Sequence, residues 1–180
     1  MATNIEEISR FLSETKDLNF SPVADPNILA TRFHTDSYVD NDGNRFCAML
    51  IATEEDGRFL KVMVPLAYHF PKDANSYNKL ALFQTLLQIS WQTKMVQFEY
   101  DADEGYVSAI IEFPLEDSQL TQRQLLRCVY GMVETLDRHH DQIVDAMRIG
   151  LTPETDQQRR AAFDEFQKLR REERRRNMGD

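Results

Sequence analysis

The chain is short of the residues that usually betray chemistry. Cysteine occurs twice in 180 residues, as Cys47 and Cys128, far apart and each inside an apolar run. Two such residues read as buried free thiols rather than a disulfide. There is no G-x-S-x-G, no P-loop and no H-E-x-x-H, and two cysteines make no cluster. The adjacent His139 and His140 point about 100° apart on a helix and cannot form the i, i+4 pair of a helical metal site. The expectation is therefore no enzyme, no metal and no cofactor. No run approaches the ~20 apolar residues of a membrane span. The start, Met1-Ala2-Thr3-Asn4-Ile5-Glu6-Glu7, is acidic and has no apolar signal core, which points to the cytoplasm.

Positive charge is scarce outside the C-terminus. Residues 153–180 hold eight basic and seven acidic side chains, and the rest of the chain holds thirteen and twenty-three. The formal net charge of −9 thus divides into +1 for the tail and −10 for the body. Such a body repels phosphates, so binding of nucleic acid by it is not expected. Hydrophobic residues make up 42% of the chain, enough for a core.

The chain is organised around Tyr77–Phe113. Leu80, Ala81, Leu82, Phe83, Leu86, Leu87, Ile89 and Trp91 give a helix that is apolar over far more than the usual ~100° stripe. Leu80, Phe83 and Leu87 share one face, and Leu82, Leu86 and Ile89 a neighbouring one. A helix this apolar needs cover on two sides, from its own chain or from a second copy. After Thr93 the period becomes two. Val96, Phe98 and Tyr100 alternate with Gln97 and Glu99, and Asp101–Gly105 makes a turn. A second strand runs from Val107 to Phe113 and stops at Pro114.

Upstream, Ile5, Ile8, Phe11 and Leu12 predict a short amphipathic helix capped by Asn4 and docked on the body. Asp17–Asn27, with Pro22 and Pro26, reads as a connection. Ile28–Thr35 reads as a strand. Asp36, Asp40, Asp42 and Asn44 superficially suggest a calcium loop, but the bidentate Glu and the flanking helices are missing, so a plain acidic turn is expected. Phe46–Thr53 and Arg58–Leu66 form a hairpin about Glu54-Glu55-Asp56-Gly57, with Pro65 ending its second strand.

Downstream, Leu125, Val129, Met132, Val133, Leu136, Ile143 and Met147 mark a long helix. Gly131 within it suggests a close backbone contact. Gly150 stops that helix, and Thr152-Pro153-Glu154 starts another. In this last helix Ala162, Phe163, Phe166 and Leu169 form a narrow stripe before the basic Arg170, Arg171, Arg174, Arg175 and Arg176. It is marginal alone, so it either lies on the acidic body or meets a partner. The expected fold is α+β. About five antiparallel strands form a curved sheet packed by helices, in the order α-β-β-β-α-β-β-α over residues 1–150, with a charged helical tail over 151–180.

The stretches Leu80–Leu87, Met95–Asp101 and Ile110–Glu116 carry a resemblance to the YbjN family and the wider type III secretion chaperone-like fold. Members likewise run from helix to strand, acidic turn and a strand that ends near Pro-Leu with an acidic follower. The likeness covers roughly residues 3–148, and the tail falls outside it. It implies a helix-packed, strongly curved sheet without enzymatic activity. It also implies homodimers that hold partly unfolded protein segments on apolar patches. It brings no catalytic residue.

These readings converge on a protein-binding module, chaperone-like or an assembly or regulatory factor, that holds a client protein segment. Its candidate contacts are Leu82, Phe83, Leu86, Ile89 and Trp91, together with Phe163, Phe166, Arg170, Arg171 and Arg174 on the tail. The competing reading is a regulator whose basic tail binds nucleic acid or a membrane surface. An unrecognised enzyme is the third.

Overall fold

The computed structural model describes residues 3–16, 18–74, 76–116, 118–148 and 156–177, without the side chains of 156–160, 162, 170, 173–175 and 177. The order is α1 (Ile5–Ser13), β1 (Phe20–Pro22), β2 (Ile28–His34), β3 (Phe46–Glu54), β4 (Phe59–His69), α2 (Ser76–Gln92), β5 (Gln97–Asp101), β6 (Tyr106–Pro114), α3 (Gln122–Arg148) and α4 (Asp156–Asn177). The protein is α+β. Its six strands pair antiparallel throughout, in the order β1-β2-β3-β4-β6-β5.

The alternation of each strand sorts its residues between two faces. Leu29, Ile51, Val62 and Ile111 lie opposite one another across four strands, and all are buried. On this face α1 contributes Ile8 and Leu12, α2 contributes Leu82 and Ile89, and α3 contributes Leu125, Val129, Met132, Leu136 and Ile143 to one continuous core. Burying each such side chain is worth about 1.5–3 kcal/mol. The opposite face carries the row Ala30, Leu50, Met63, Ile110 and Gln97. Beside it Lys61 reaches Glu54 at 3.4 Å and Glu112 at 3.8 Å.

The ends of the helices follow local rules. The Asn4 side chain accepts from the Glu7 N–H at 2.9 Å, the cap its position predicts. Thr121 and Gln124 form a reciprocal capping box at the start of α3, with bonds of 2.8 and 3.2 Å. The Asp40 carboxylate accepts from the N–H groups of Asp42 and Asn44, so this acidic loop is a self-bonded turn.

Several expectations are corrected. The sheet has six strands where about five were expected. Phe20–Pro22 pairs with Leu29–Thr31, although Pro22 and the nearby Pro26 hid it within a connection. Pro65 does not end β4. The register shifts between Val64 and Tyr68, Leu66 takes a φ of 51°, and the strand resumes with Tyr68 opposite Val107. A bulge absorbs the missing proline N–H, and Asn41 fastens it by donating to the Leu66 carbonyl and accepting from the His69 N–H. Gly131 marks no close contact, since a Cβ there would meet nothing within 4 Å. The proposed stop at Gly150 and start at Thr152–Glu154 lie outside the described residues. Cys47 and Cys128 are free and buried, and burial pushes their thiols up to about 12 and about 11. Thiols that stay protonated make poor nucleophiles.

Candidate functional site

Helix α2 has two apolar faces, and the fold covers them unequally. Asn78, Ala81, Leu82, Thr85, Leu86 and Ile89 recur at helical spacing and face inward. Leu80, Leu87 and Trp91, at i, i+7 and i+11, point outward and are 43%, 70% and 75% exposed. Large apolar side chains left together on one face mark an interaction surface.

Two grooves flank this ridge. One, of ≈ 330 Å³, lies between α2 and β5 and is lined by Phe83, Leu86, Leu87, Ser90, Phe98, Glu99 and Tyr100. The rings of Phe83 and Tyr100 pack 5.0 Å apart and hold its walls together. The Tyr100 hydroxyl is shielded and has no hydrogen-bond partner among the described residues. The other groove, of ≈ 350 Å³, lies between α2 and α4 and is lined by Gln84, Thr85, Leu87, Gln88, Trp91, Phe166 and Gln167. Helix α4 rests on α2 here. Phe163 meets the Tyr77 ring at 6.3 Å between centroids, and the Gln167 amide donates to the Gln84 carbonyl oxygen. Thus the last helix lies on the body, and it seats on the outer side of α2. Among the described residues no helix is long and apolar enough to cross a membrane. Nor do three His, Cys, Asp or Glu side chains among them converge to hold a metal.

The sequence-derived contact residues divide accordingly. Leu82 and Ile89 are fully buried and Leu86 is 5% exposed, so they are corrected from free contacts to core, with Leu86 reaching only the floor of the β5 groove. Phe83 is half-buried in that groove's wall, and Trp91 stands exposed beside the α4 groove. Phe163 and Phe166 are half-buried between α4 and α2. Arg171 is exposed, and the side chains of Arg170 and Arg174 lie outside the described ones. Leu80, Leu87, Phe98 and Tyr100 were missed as contacts. Their apolar periodicity was visible in the sequence, but it does not say which of two apolar faces turns inward.

In comparison with known proteins, no protein-family model and no curated sequence matches this chain.

A second cluster joins α3 to the β2–β3 loop. The Asp137 carboxylate accepts from the N–H groups of Asp36, Ser37 and Tyr38 at 3.3, 2.7 and 2.8 Å. Desolvation opposes its ionisation, but these three bonds outweigh that and hold it below the usual carboxylate value. One turn on, His140 stacks against Tyr68 and meets Tyr38 edge-on. The Tyr68 hydroxyl lies 3.5 Å from the histidine Nδ1, and the Tyr38 hydroxyl donates to the Ala67 carbonyl at 3.0 Å. Burial lowers the His140 pKa, Asp141 and Asp137 raise it, and Arg148 and Arg45 lower it again, with a net downward shift. The fold therefore favours the neutral ring, and the unfolded chain takes up the proton first. Stability contributed by His140 is present above about pH 6.5 and is lost as pH falls below it. Thermal melts of His140→Gln should vary less between about pH 7 and pH 5 than those of the wild type. Identical slopes would show that the ring titrates alike in both states.

Proposed function

We propose that this chain is a non-enzymatic protein-binding module, chaperone-like or an assembly or regulatory factor, that holds a client segment on the outer face of α2. The observation that supports this reading is the exposed pair Leu87 and Trp91, with Leu87 on the rim of the mainly apolar groove against β5 and both beside the mixed polar and apolar groove against α4. A groove with apolar anchors and few polar groups suits a peptide segment better than a small polar substrate. We include in the proposal the resemblance to the YbjN family and the secretion chaperone-like fold, a cytoplasmic location, and a homodimer as the second possible use of the same face.

The test is capture from native lysate with full-length protein, Leu87→Asp, Trp91→Ala and a 1–152 truncation. Mass spectrometry and light scattering are the readouts. The expected result is a stoichiometric client held by the wild type and reduced about tenfold or more by Leu87→Asp, since apolar anchors at an interface centre cost ≥ ~2 kcal/mol when lost. Unchanged capture and unchanged mass in both point variants would overturn the reading. A partner lost with residues 153–180, with steep salt dependence, would move the binding to the basic tail.

A further inference from the structure

The sheet's two edges are built differently. At one end β1 is three residues long and carries Pro22, a device that blunts an edge against pairing. At the other end β5 runs five residues without proline and pairs with β6 alone. Its outer row of N–H and C=O groups has no strand partner among the described residues. Such a row is a template for one more strand.

The side chains of β5 state what that strand should be. Phe98 and Tyr100 lie opposite Ala109 and Val107 and so point to the helix-covered face, into the groove against α2. Gln97, Glu99 and Asp101 alternate with them and point to the other face. The following turn adds Asp103 and Glu104, with Lys72 as the cation in contact, donating to the Asp103 carbonyl. An added strand in register places every second side chain over the groove and the others beside Glu99 and Asp101. A second copy pairing β5 to β5 would set Glu99 and Asp101 against their own kind, and like charges directly opposite destabilise a sheet. The edge therefore selects a different chain.

We propose that β5 is the docking edge for an extended protein segment that alternates apolar residues with lysine or arginine. The segment joins the sheet as a seventh strand and lays its apolar side chains in the groove between α2 and β5. This rests on the protein-binding reading and gives that reading a partner class.

The test titrates the full chain with a short capped peptide alternating lysine with valine, followed by backbone NMR. Three comparison peptides are used: the glutamate–valine analogue, the lysine–valine peptide N-methylated at alternate positions, and a helix-forming peptide of the same charge. The expected result is shift changes and amide protection centred on residues 97–101. N-methylation should weaken binding about tenfold, because it removes ladder donors. Glu99→Lys combined with Asp101→Lys should weaken it about tenfold and let the glutamate–valine peptide bind instead. Equal binding of the helical or N-methylated peptide, or shifts spread over the acidic surface without a focus on β5, would overturn the inference. The lysate experiment separates the two levels. A client captured by the wild type and kept in full by the double charge reversal overturns the edge and leaves the binding module standing. Absence of any client overturns the module itself, while the peptide titration still decides the edge.

Discussion

Replacing Gly105 with alanine is expected to be among the most damaging single changes in the chain. Gly105 closes the β5–β6 turn at a φ of +80°, and a Cβ built there lies 2.5 Å from the Phe70 carbonyl oxygen. The left-handed backbone alone costs an alanine about 1–2 kcal/mol. The overlap adds more, because the atom in the way belongs to the backbone and cannot swing aside. The Phe70 N–H also donates to the Gly105 carbonyl at 2.7 Å, so any shift that relieves the clash strains the bond tying the end of β4 to the turn. A total of about 3–5 kcal/mol is expected by urea denaturation. Gly43 is the matched control. Its φ is +85°, and nothing lies within 4 Å of a built Cβ, so Gly43→Ala should cost about 1–2 kcal/mol. Equal losses at the two glycines would mean that the β4–turn contact gives way easily.

The second large effect separates the faces of α2. Leu82→Ala and Ile89→Ala should each cost about 2–5 kcal/mol, the range for cavities opened in a packed core. Both side chains are fully buried between the sheet and α3. Leu87→Ala, on the same helix and 70% exposed, should stay within about 0.5 kcal/mol of the wild type. For a domain of this size the core variants should lower Tm by roughly 4–20 °C. The contrast also guards the binding experiments. A loss of client in Leu87→Asp means lost contact, whereas a loss in Leu82→Ala would mean a damaged core. Leu87 more costly than Leu82 would show the helix turned the other way.

Much of the fold was legible because its strands alternate and its helices carry clear stripes. Ile5, Ile8, Phe11 and Leu12 named the docked face of α1, and the hairpin about Asp101–Gly105 stood out by its change of period. The two strand errors share a physical origin in proline. Pro22 hid β1, although a short edge strand tolerates a residue without an N–H. Pro65 concealed the continuation of β4, where a bulge takes up the missing donor. The contacts on α2 were half-read for another reason. Periodicity reveals that a helix has two apolar faces, but the choice of inner face depends on the neighbours it meets. Here the sheet and α3 together take Leu82, Leu86 and Ile89, and Leu80, Leu87 and Trp91 are left outside. The seat of α4 on α2 was likewise invisible, because the Phe163 and Phe166 stripe fits many surfaces.

The blunt β1 edge also bears on how far assembly can proceed. A sheet extends into a filament only if every unit offers two open ends, one to receive and one to be received. This sheet has a closed end, a three-residue strand bearing Pro22, and an open end at β5. A filament of this chain alone needs β5 of one copy to pair with β1 of the next, and the short, proline-bearing β1 disfavours that contact.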